Sequence, residues 1–354
     1  MAAGGSDDMT EAIRPPIGGF LPLAIDELPA APVTPWQLWT GGARGALTFH
    51  NARSALVWLL RQKDVRRLWL PAYICREVAD AVAGAGTDIR FYAVGEALAP
   101  DAARLDAMLG RGDAVLGVDY FGFAPPAAFP ALVRARGDVL WIEDRAQAFD
   151  PDAEPWGDWL IYSPRKLLGV PDGGLLVSQR CELSPPAYED SRDLSFMAPT
   201  LERFEDAAET HSRDWYTSYR EVEAGAVASL RPMSRLAGTL LRRIDAQSIA
   251  SRRRRNHAML AKAFPSLMLR FSGARPAAVP FGLALRVRDA GAVAGRLAEA
   301  GAFCARHWRS LPSDPRRFPE EHNLAQSLLT LPCDQRYGEA EMQRLIDCLA
   351  AILP

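Results

Sequence analysis

Lys166 is the residue of this sequence best placed to do covalent chemistry. The chain has only three lysines, and Lys63 and Lys262 lie among polar, helix-like residues where arginine would serve as well. Lys166 instead follows an apolar run, 159–162, and precedes a loop rich in glycine and proline that leads into a second apolar run, 175–178. An amine at a strand end, beside a loop whose backbone can approach a ligand, is the arrangement that a Schiff-base lysine requires. The alternative interpretation is a solvated lysine in a surface loop.

Asp144 ends another apolar, strand-like run, 140–143. A carboxylate directly after a buried strand has little structural purpose unless a cation lies opposite it, and a protonated pyridine nitrogen is such a cation. An acid paired with a pyridinium is what makes pyridoxal 5'-phosphate (PLP) an electron sink. An N-cap of a short helix is the alternative role for Asp144. Gln147 lies three residues further on, where its amide could reach the same ligand or could act as a cap.

Further candidates would hold the phosphate and the ring of such a cofactor. Ser54 and Ala55 begin a helix, where backbone N–H groups and a hydroxyl suit a phosphate, although a plain N-terminal cap is the alternative. Ser163 could add a donor, or could simply belong to a turn. Tyr73 and Cys75 follow a strand and could contact a ring or pack in the core. The histidines are isolated from one another and from cysteine, so no metal site is predicted.

Short apolar strands alternate with helical segments over the first half of the chain. This pattern predicts an α/β fold with a mostly parallel sheet covered by helices, and in such sheets ligands bind at the carboxyl ends of the strands. We expect a disordered tail at 1–16, a large domain at 17–240 that opens with an extended run to residue 39, and a small C-terminal α+β domain at 241–354. Residues 184–231 are expected to be largely helical.

The composition gives no indication of a nucleic-acid-binding, membrane-spanning or secreted protein. The chain has 354 residues, about half of them apolar and a quarter charged, and its net charge of −2 gives no reason to expect nucleic acid or an anionic membrane as a partner. Five scattered cysteines predict free thiols in a reducing compartment. No apolar stretch is long enough to span a bilayer, and the N-terminus has no signal-peptide pattern, so we expect a cytoplasmic protein.

Several of these segments together resemble the DegT/DnrJ/EryC1/StrS aminotransferases. The resemblance rests on four segments and runs from about residue 17 to the end: the helix start 53–56, the run 70–75, the E-D-R-A-Q element at 143–147, and Lys166 followed by Asp172-Gly173-Gly174. It implies fold type I of the PLP-dependent transferases, a homodimer, and transfer of an amino group from a donor such as glutamate to a keto-sugar, typically nucleotide-linked. By position, Lys166 and Asp144 would be catalytic.

The resemblance also assigns cofactor contacts. It implies that Lys166 bonds PLP, that Asp144 holds the pyridine nitrogen, that Gln147 lies near the phenolic oxygen, and that Ser54, Ala55 and Ser163 hold phosphate. The family commonly has an aromatic ring where Cys75 stands, which leaves stacking to Tyr73. Two other hypotheses stay open: a PLP enzyme of another reaction type, such as a lyase, and a non-catalytic scaffold with the same fold.

Overall fold

The computed structural model describes residues 17–18, 31–149, 153–190, 193–206, 214–271, 273 and 278–353. The tail expected at 1–16 lies outside these residues. The strands are β1 Ile17–Gly18, β2 Gly45–Phe49, β3 Arg67–Pro71, β4 Asp88–Tyr92, β5 Ala114–Val118, β6 Leu140–Asp144, β7 Trp159–Tyr162, β8 Gly174–Ser178, β9 Gly282–Arg286, β10 Ala302–Phe303 and β11 Leu328–Pro332. The helices are α1 Pro35–Thr40, α2 Ala52–Gln62, α3 Arg76–Gly84, α4 Ala102–Asp106, α5 Ala128–Ala135, α6 Ala198–Glu205, α7 Asp214–Gly225, α8 Arg235–Leu241, α9 Ala246–Ala263, α10 Ala290–Glu299, α11 Pro319–Ser327 and α12 Glu339–Ile352.

The main sheet has seven strands in the order β2-β8-β7-β6-β5-β3-β4. Strands β4, β3, β5, β6 and β7 run parallel, whereas β8 is antiparallel to both of its neighbours. The predicted α/β fold with a mostly parallel sheet is therefore confirmed. The chain moves from β3 outward to β4 and then returns to the other side of β3 with β5, so the strand order reverses there, which is where ligands bind in open sheets of this kind.

Both faces of the sheet are covered, and this explains why its strands read as continuous apolar runs. Every residue of β5, β7 and β8 is buried. Helix α2 begins at the N-cap Asn51 and buries Leu56, Leu59 and Leu60 against the sheet. Because side chains of a central strand have no solvent face, the usual alternation of polar and apolar residues is lost.

A second, two-stranded antiparallel sheet, β9 with β11, gathers its own apolar cluster with α10 and α12. Helix α8 and the start of α9 pack with the main sheet, while Leu260 and Phe264, at the end of α9, pack with the second cluster. The boundary placed at residue 240 falls within α8 and stays a prediction. No helix in the described part of the chain is long and apolar enough to cross a membrane.

One expectation about local structure is wrong. The run to residue 39 was expected to be extended, but Pro35–Thr40 is a helix, because Thr34 and Gln37 form a capping box and proline occupies the first turn. Residues 184–231 were expected to be largely helical, and most of the described residues in this range do lie in α6, α7 and the 3-10 turn Ser195–Met197. The flanking residues 184–190 and 226–231 are not helical; there, the Glu189 N–H donates to the Leu230 carbonyl, and the Leu230 N–H donates to Oε1 of the Glu189 side chain.

Candidate active site

Lys166 lies at the carboxyl edge of the main sheet. Strand β7 ends at Tyr162, and the 3-10 turn Pro164–Lys166 follows it, closed by a hydrogen bond of 3.1 Å from the Lys166 N–H to the Ser163 carbonyl. The Lys166 side chain is exposed, and its amine has no hydrogen bond or ion pair with any described residue. The turn therefore presents a free amine at the edge where a ligand would bind.

Asp144 is the last residue of β6, the strand next to β7. Its Oδ1 accepts a hydrogen bond of 2.8 Å from the Ala146 N–H, which fixes the carboxylate at the strand end. Burial raises the pKa of Asp144, while the positive charge of Lys166 and the Ala146 hydrogen bond oppose that rise. Strand pairing thus brings the two predicted catalytic residues to one place, although they are far apart in sequence.

Cys75 reaches the same place from β3. It is the N-cap residue of α3 and is half-buried. Burial raises the pKa of its thiol to about 11, with Lys166 acting to lower it and Asp144 to raise it, so the thiol feels the charges of both residues. Cys75 is therefore beside the predicted catalytic pair, as the sequence indicated, and is protonated at neutral pH.

Gln147 is buried close to this edge of the sheet. Its Oε1 accepts a hydrogen bond of 2.9 Å from the Phe121 N–H, which holds a turn where Phe121 and Gly122 have φ values of 55° and 89°. Its Nε2 is buried and has no partner within the described residues. A buried amide donor without an acceptor costs free energy, so this atom is well suited to a ligand oxygen.

The residues predicted to hold phosphate lie at two places: Ser54 and Ala55 at the start of α2, and Ser163 beside Lys166. The Ser54 hydroxyl donates to Asn51 Oδ1 at 3.1 Å and accepts from the Ser229 N–H at 3.0 Å, and the Ser54 N–H also bonds Asn51 Oδ1. Ala55 is fully buried, and its N–H points to the Asn51 carbonyl at 3.4 Å. Ser163 is buried beside Lys166. The donors of Ser54 and Ala55 are already used within α2.

Tyr73 lies between the main sheet and the loop after β10. Its hydroxyl donates to the His307 carbonyl, and its ring lies 5.7 Å from that of Trp308 and 6.1 Å from that of Tyr120. Burial raises the pKa of the Tyr73 hydroxyl. The structure therefore joins Tyr73 to the 307–308 loop, and a stacking role for its ring stays a prediction.

His307, which the sequence left without a role, lies near Lys166. Burial, together with the Lys166 charge, lowers its pKa to about 3, so the imidazole is neutral at physiological pH. Its Nδ1 lies 3.0 Å from the Thr330 hydroxyl on β11. The sequence signal was its position just after a strand of the C-terminal part of the chain.

A network of buried charged residues lies beside Asp144, and it was not predicted from the sequence. Arg145 Nε bonds Glu143 and lies 3.7 Å from Asp119 Oδ2. Glu143 also accepts two backbone bonds of 2.8 Å, from Trp156 and Gly157. Burial and the Glu143 charge raise the pKa of Asp119, which Arg145 acts to lower. Since Glu143 and Arg145 flank Asp144 in the chain, this network fixes the strand end that carries it.

Comparison with known proteins gives matches in structure alone. No family model and no curated sequence matches the chain. Its fold is similar to that of a DegT DnrJ EryC1 StrS aminotransferase from Brucella abortus, with a TM-score of 0.64 and 15% identity over 88% of this chain and 86% of that one. A sugar aminotransferase from Micromonospora echinospora gives a TM-score of 0.61 and 17% identity over 93% and 94%.

The chain has the fold of these aminotransferases. A protein from Streptococcus pneumoniae solved in its PLP form is also similar, with a TM-score of 0.65 and 14% identity over 93% of this chain and 94% of that one. The aminotransferase fold is thus shared along nearly the whole length of all three chains, although few residues are identical. The expectation of fold type I, drawn from short motifs, is confirmed at the level of the fold.

Proposed function

We propose that this protein is a PLP-dependent aminotransferase that moves an amino group from an amino-acid donor, glutamate for preference, to a keto-sugar. The acceptor is nucleotide-linked, and the reaction belongs to polysaccharide or secondary-metabolite biosynthesis. The observation that carries the proposal is the convergence of Lys166 and Asp144 at the ends of two adjacent parallel strands, in a fold shared with aminotransferases.

The residues at this edge fit the cofactor. Gln147 Nε2 is a buried donor without an acceptor among the described residues, and Lys166 is an amine without a partner among them. Asp144 offers a carboxylate whose raised pKa in the unliganded protein falls when a positive ring nitrogen lies opposite it. We assign ring-nitrogen binding to Asp144, the phenolic oxygen to Gln147, and the covalent bond to Lys166. We assign the phosphate to Ser163, Ser54 and Ala55, and the contacts with the ring to Cys75 and Tyr73.

PLP supplies an electron sink for a carbanion at the carbon that bears the nitrogen. The chain's own residues supply the rest. Lys166 Nζ accepts a proton from that carbon of the donor and later returns one to the acceptor carbon, because a free amine at the strand end can act as base and then as acid. Asp144, held by the Ala146 N–H at 2.8 Å and by the network of Glu143 and Arg145, stays ionised opposite a cation.

The same proposal includes a homodimer. Four of the large apolar side chains that the described surface exposes lie between residues 194 and 227: Leu194 (60%), Leu201 (44%), Tyr216 (45%) and Val227 (70%). Such a group of exposed apolar side chains is typical of a contact surface, and a second copy of the chain would cover it. All five cysteines are free thiols, which suits the cytoplasm.

A single-turnover donor assay tests the proposed activity. Protein loaded with PLP is mixed with L-glutamate, and the 2-oxoglutarate formed is quantified against the protein concentration. The parent is expected to give one equivalent, and Lys166→Ala none. Lys262→Ala, at an exposed position of α9, is the matched control and is expected to behave as the parent. A parent that binds PLP but forms no oxo acid from any amino acid contradicts amino transfer and favours the lyase hypothesis.

A further inference from the structure

Arg165, the residue before Lys166, makes an ion pair across the mouth of the site. Its Nη2 lies 2.5 Å from Oε1 of Glu223, which is in the last turn of α7, and the two side chains are 22% and 31% exposed. Burial acts to lower the pKa of the Arg165 guanidinium, but the charges of Glu223, Tyr219 and Asp172 raise it above its usual value. Arg165 is therefore a strongly paired cation next to the catalytic lysine.

A second guanidinium belongs to the same group of charges. Arg53 lies in the first turn of α2, and its charge, like that of Arg165, acts to lower the pKa of the Tyr219 hydroxyl, which burial and Glu223 raise. Arg53 makes no hydrogen bond or ion pair with the described residues. Arg165 pairs directly with Glu223, and the charge of Arg53 acts on Tyr219, one turn earlier on α7.

The position of Glu223 is unfavourable for α7 itself. A carboxylate in the last turn is repelled by the negative end of the helix, and this turn has no basic residue to offset it. Helix α7 buries no residue, and it packs chiefly on α6. Glu223 is therefore held by Arg165 rather than by the helix, and α7 is an element that a competing anion could move at small cost.

The chain after α7 closes over the start of α2. Asn51 Nδ2 donates to the Val227 carbonyl at 3.4 Å, the Ser229 N–H donates to Ser54 Oγ at 3.0 Å, and the His50 N–H donates to the Arg231 carbonyl at 2.9 Å. Of the groups predicted to hold phosphate, the Ser54 hydroxyl is engaged by Ser229 and Asn51, and the N–H groups of Ser54 and Ala55 bond Asn51. Arg165, beside Lys166, offers a guanidinium to an anion.

We propose that Arg165 binds a phosphate group of a ligand, and that the Glu223 carboxylate is the internal counter-ion which the phosphate displaces. A guanidinium binds phosphate in a bidentate manner, and a phosphate carries more charge and more acceptor oxygens than a carboxylate, so it wins the exchange. The proposal rests on the proposed function, since the phosphate belongs either to PLP or to the nucleotide-linked sugar.

Binding equilibria separate these cases without any measurement of turnover. Affinities for PLP and for pyridoxal, which lacks the phosphate, are measured by quenching of tryptophan fluorescence, and uridine diphosphate is titrated into the PLP-loaded protein. Arg165→Gln is expected to weaken the binding of PLP or of uridine diphosphate by about tenfold or more, while the affinity for pyridoxal changes by less than about twofold. Glu223→Gln is expected to tighten the same ligand by about twofold to fivefold.

Controls keep the test falsifiable. Arg61→Gln, in the last turn of α2, and Glu221→Gln, an exposed residue of α7, are expected to leave all three affinities unchanged. Arg165→Lys keeps the charge without the planar fork and is expected to give an intermediate loss, which carries the test if Arg165→Gln does not fold. If the Arg165 variants lose affinity for PLP alone, the bound phosphate is that of the cofactor. If they lose affinity for uridine diphosphate alone, it is that of the substrate.

The outcomes that contradict the proposal are distinct from those that contradict the function. If Arg165→Gln changes PLP, pyridoxal and uridine diphosphate equally, or changes none of them, the phosphate assignment is wrong while the aminotransferase proposal stands. If Glu223→Gln weakens phosphate binding, Glu223 is part of the site rather than its competitor. A parent that binds neither PLP nor uridine diphosphate overturns both proposals.

Discussion

Replacing Arg145 by methionine removes the only cation within reach of two buried carboxylates among the described residues. Glu143 has no exposed area and would keep its two backbone bonds of 2.8 Å, and Asp119 would keep the Trp156 indole bond of 2.9 Å. Breaking a buried ion pair by removing one partner costs about 3–5 kcal/mol. Because the remaining bonds of both acids survive, we expect Arg145→Met to lower the free energy of unfolding by about 3 kcal/mol.

The loss of unfolding free energy in Arg145→Met depends on pH, and the structure determines whether it grows or shrinks as the pH rises. Arg145 acts to lower the pKa of Asp119, which burial and Glu143 already raise, so the variant raises that pKa further. A group whose pKa is raised in the folded state keeps its stabilising effect at low pH and loses it as the pH rises through the folded pKa. The destabilisation by Arg145→Met is therefore expected to be smaller at about pH 5 than at about pH 8.

Urea unfolding followed by intrinsic fluorescence at both pH values measures this effect. Arg180→Met is the matched control, because Arg180 pairs with Asp158 at 2.6 Å but is 55% exposed, and such pairs contribute less than about 1 kcal/mol. The reasoning is refuted if the two variants lose equal stability at the higher pH, or if Arg145→Met loses more at the lower pH.

Other positions give equally direct tests. Asp144→Asn should lower kcat by about a hundredfold or more with PLP still bound, since a neutral amide cannot hold a pyridinium; unchanged single-turnover rates would contradict this. Gln147→Ala leaves the Phe121 N–H without its 2.9 Å partner and should cost about 1–3 kcal/mol in urea unfolding. Gly174→Ala would place its Cβ 2.2 Å from the Asn51 carbonyl carbon and should prevent correct folding, whereas Gly137→Ala, with no atom within 4 Å, should express as the parent does. Cys75, whose pKa is about 11, should be alkylated by iodoacetamide at about pH 8 far more slowly than a free thiol, and rate parity would show that the thiol is not desolvated.

The strands of the main sheet could be predicted because burial on both faces leaves a plain apolar signal, as in β5 and β8. Strand β2, Gly45–Phe49, went unnoticed because it is only partly buried and so lacks a continuous apolar run. Helix α1 was mistaken for an extended run because its prolines were weighed without the capping box formed by Thr34 and Gln37. Strand β2 is fixed by its pairing with β8, which is distant in sequence, whereas α1 is fixed by its own local cap.

The core of the candidate site could be proposed from sequence because each residue directly follows a strand, and parallel strands end at one edge. The charged residues around the site could not be predicted in this way. Asp119 and Arg145 are neighbours only because β5 pairs with β6, and Arg165 meets Glu223 only because the fold brings α7 close to the turn after β7. The bonds that engage Ser54 depend on residue 229, which no local pattern connects to α2.

The central claim is that Lys166 bonds PLP, and borohydride reduction followed by peptide mass mapping tests it most directly. The protein is loaded with PLP, its visible absorbance is recorded, and the reduced adduct is located by proteolysis and mass spectrometry beside Lys166→Ala. We predict a yellow parent whose colour borohydride abolishes and whose adduct lies on Lys166 alone. A colourless parent, or an adduct on Lys63 or Lys262 that persists in Lys166→Ala, would contradict the account.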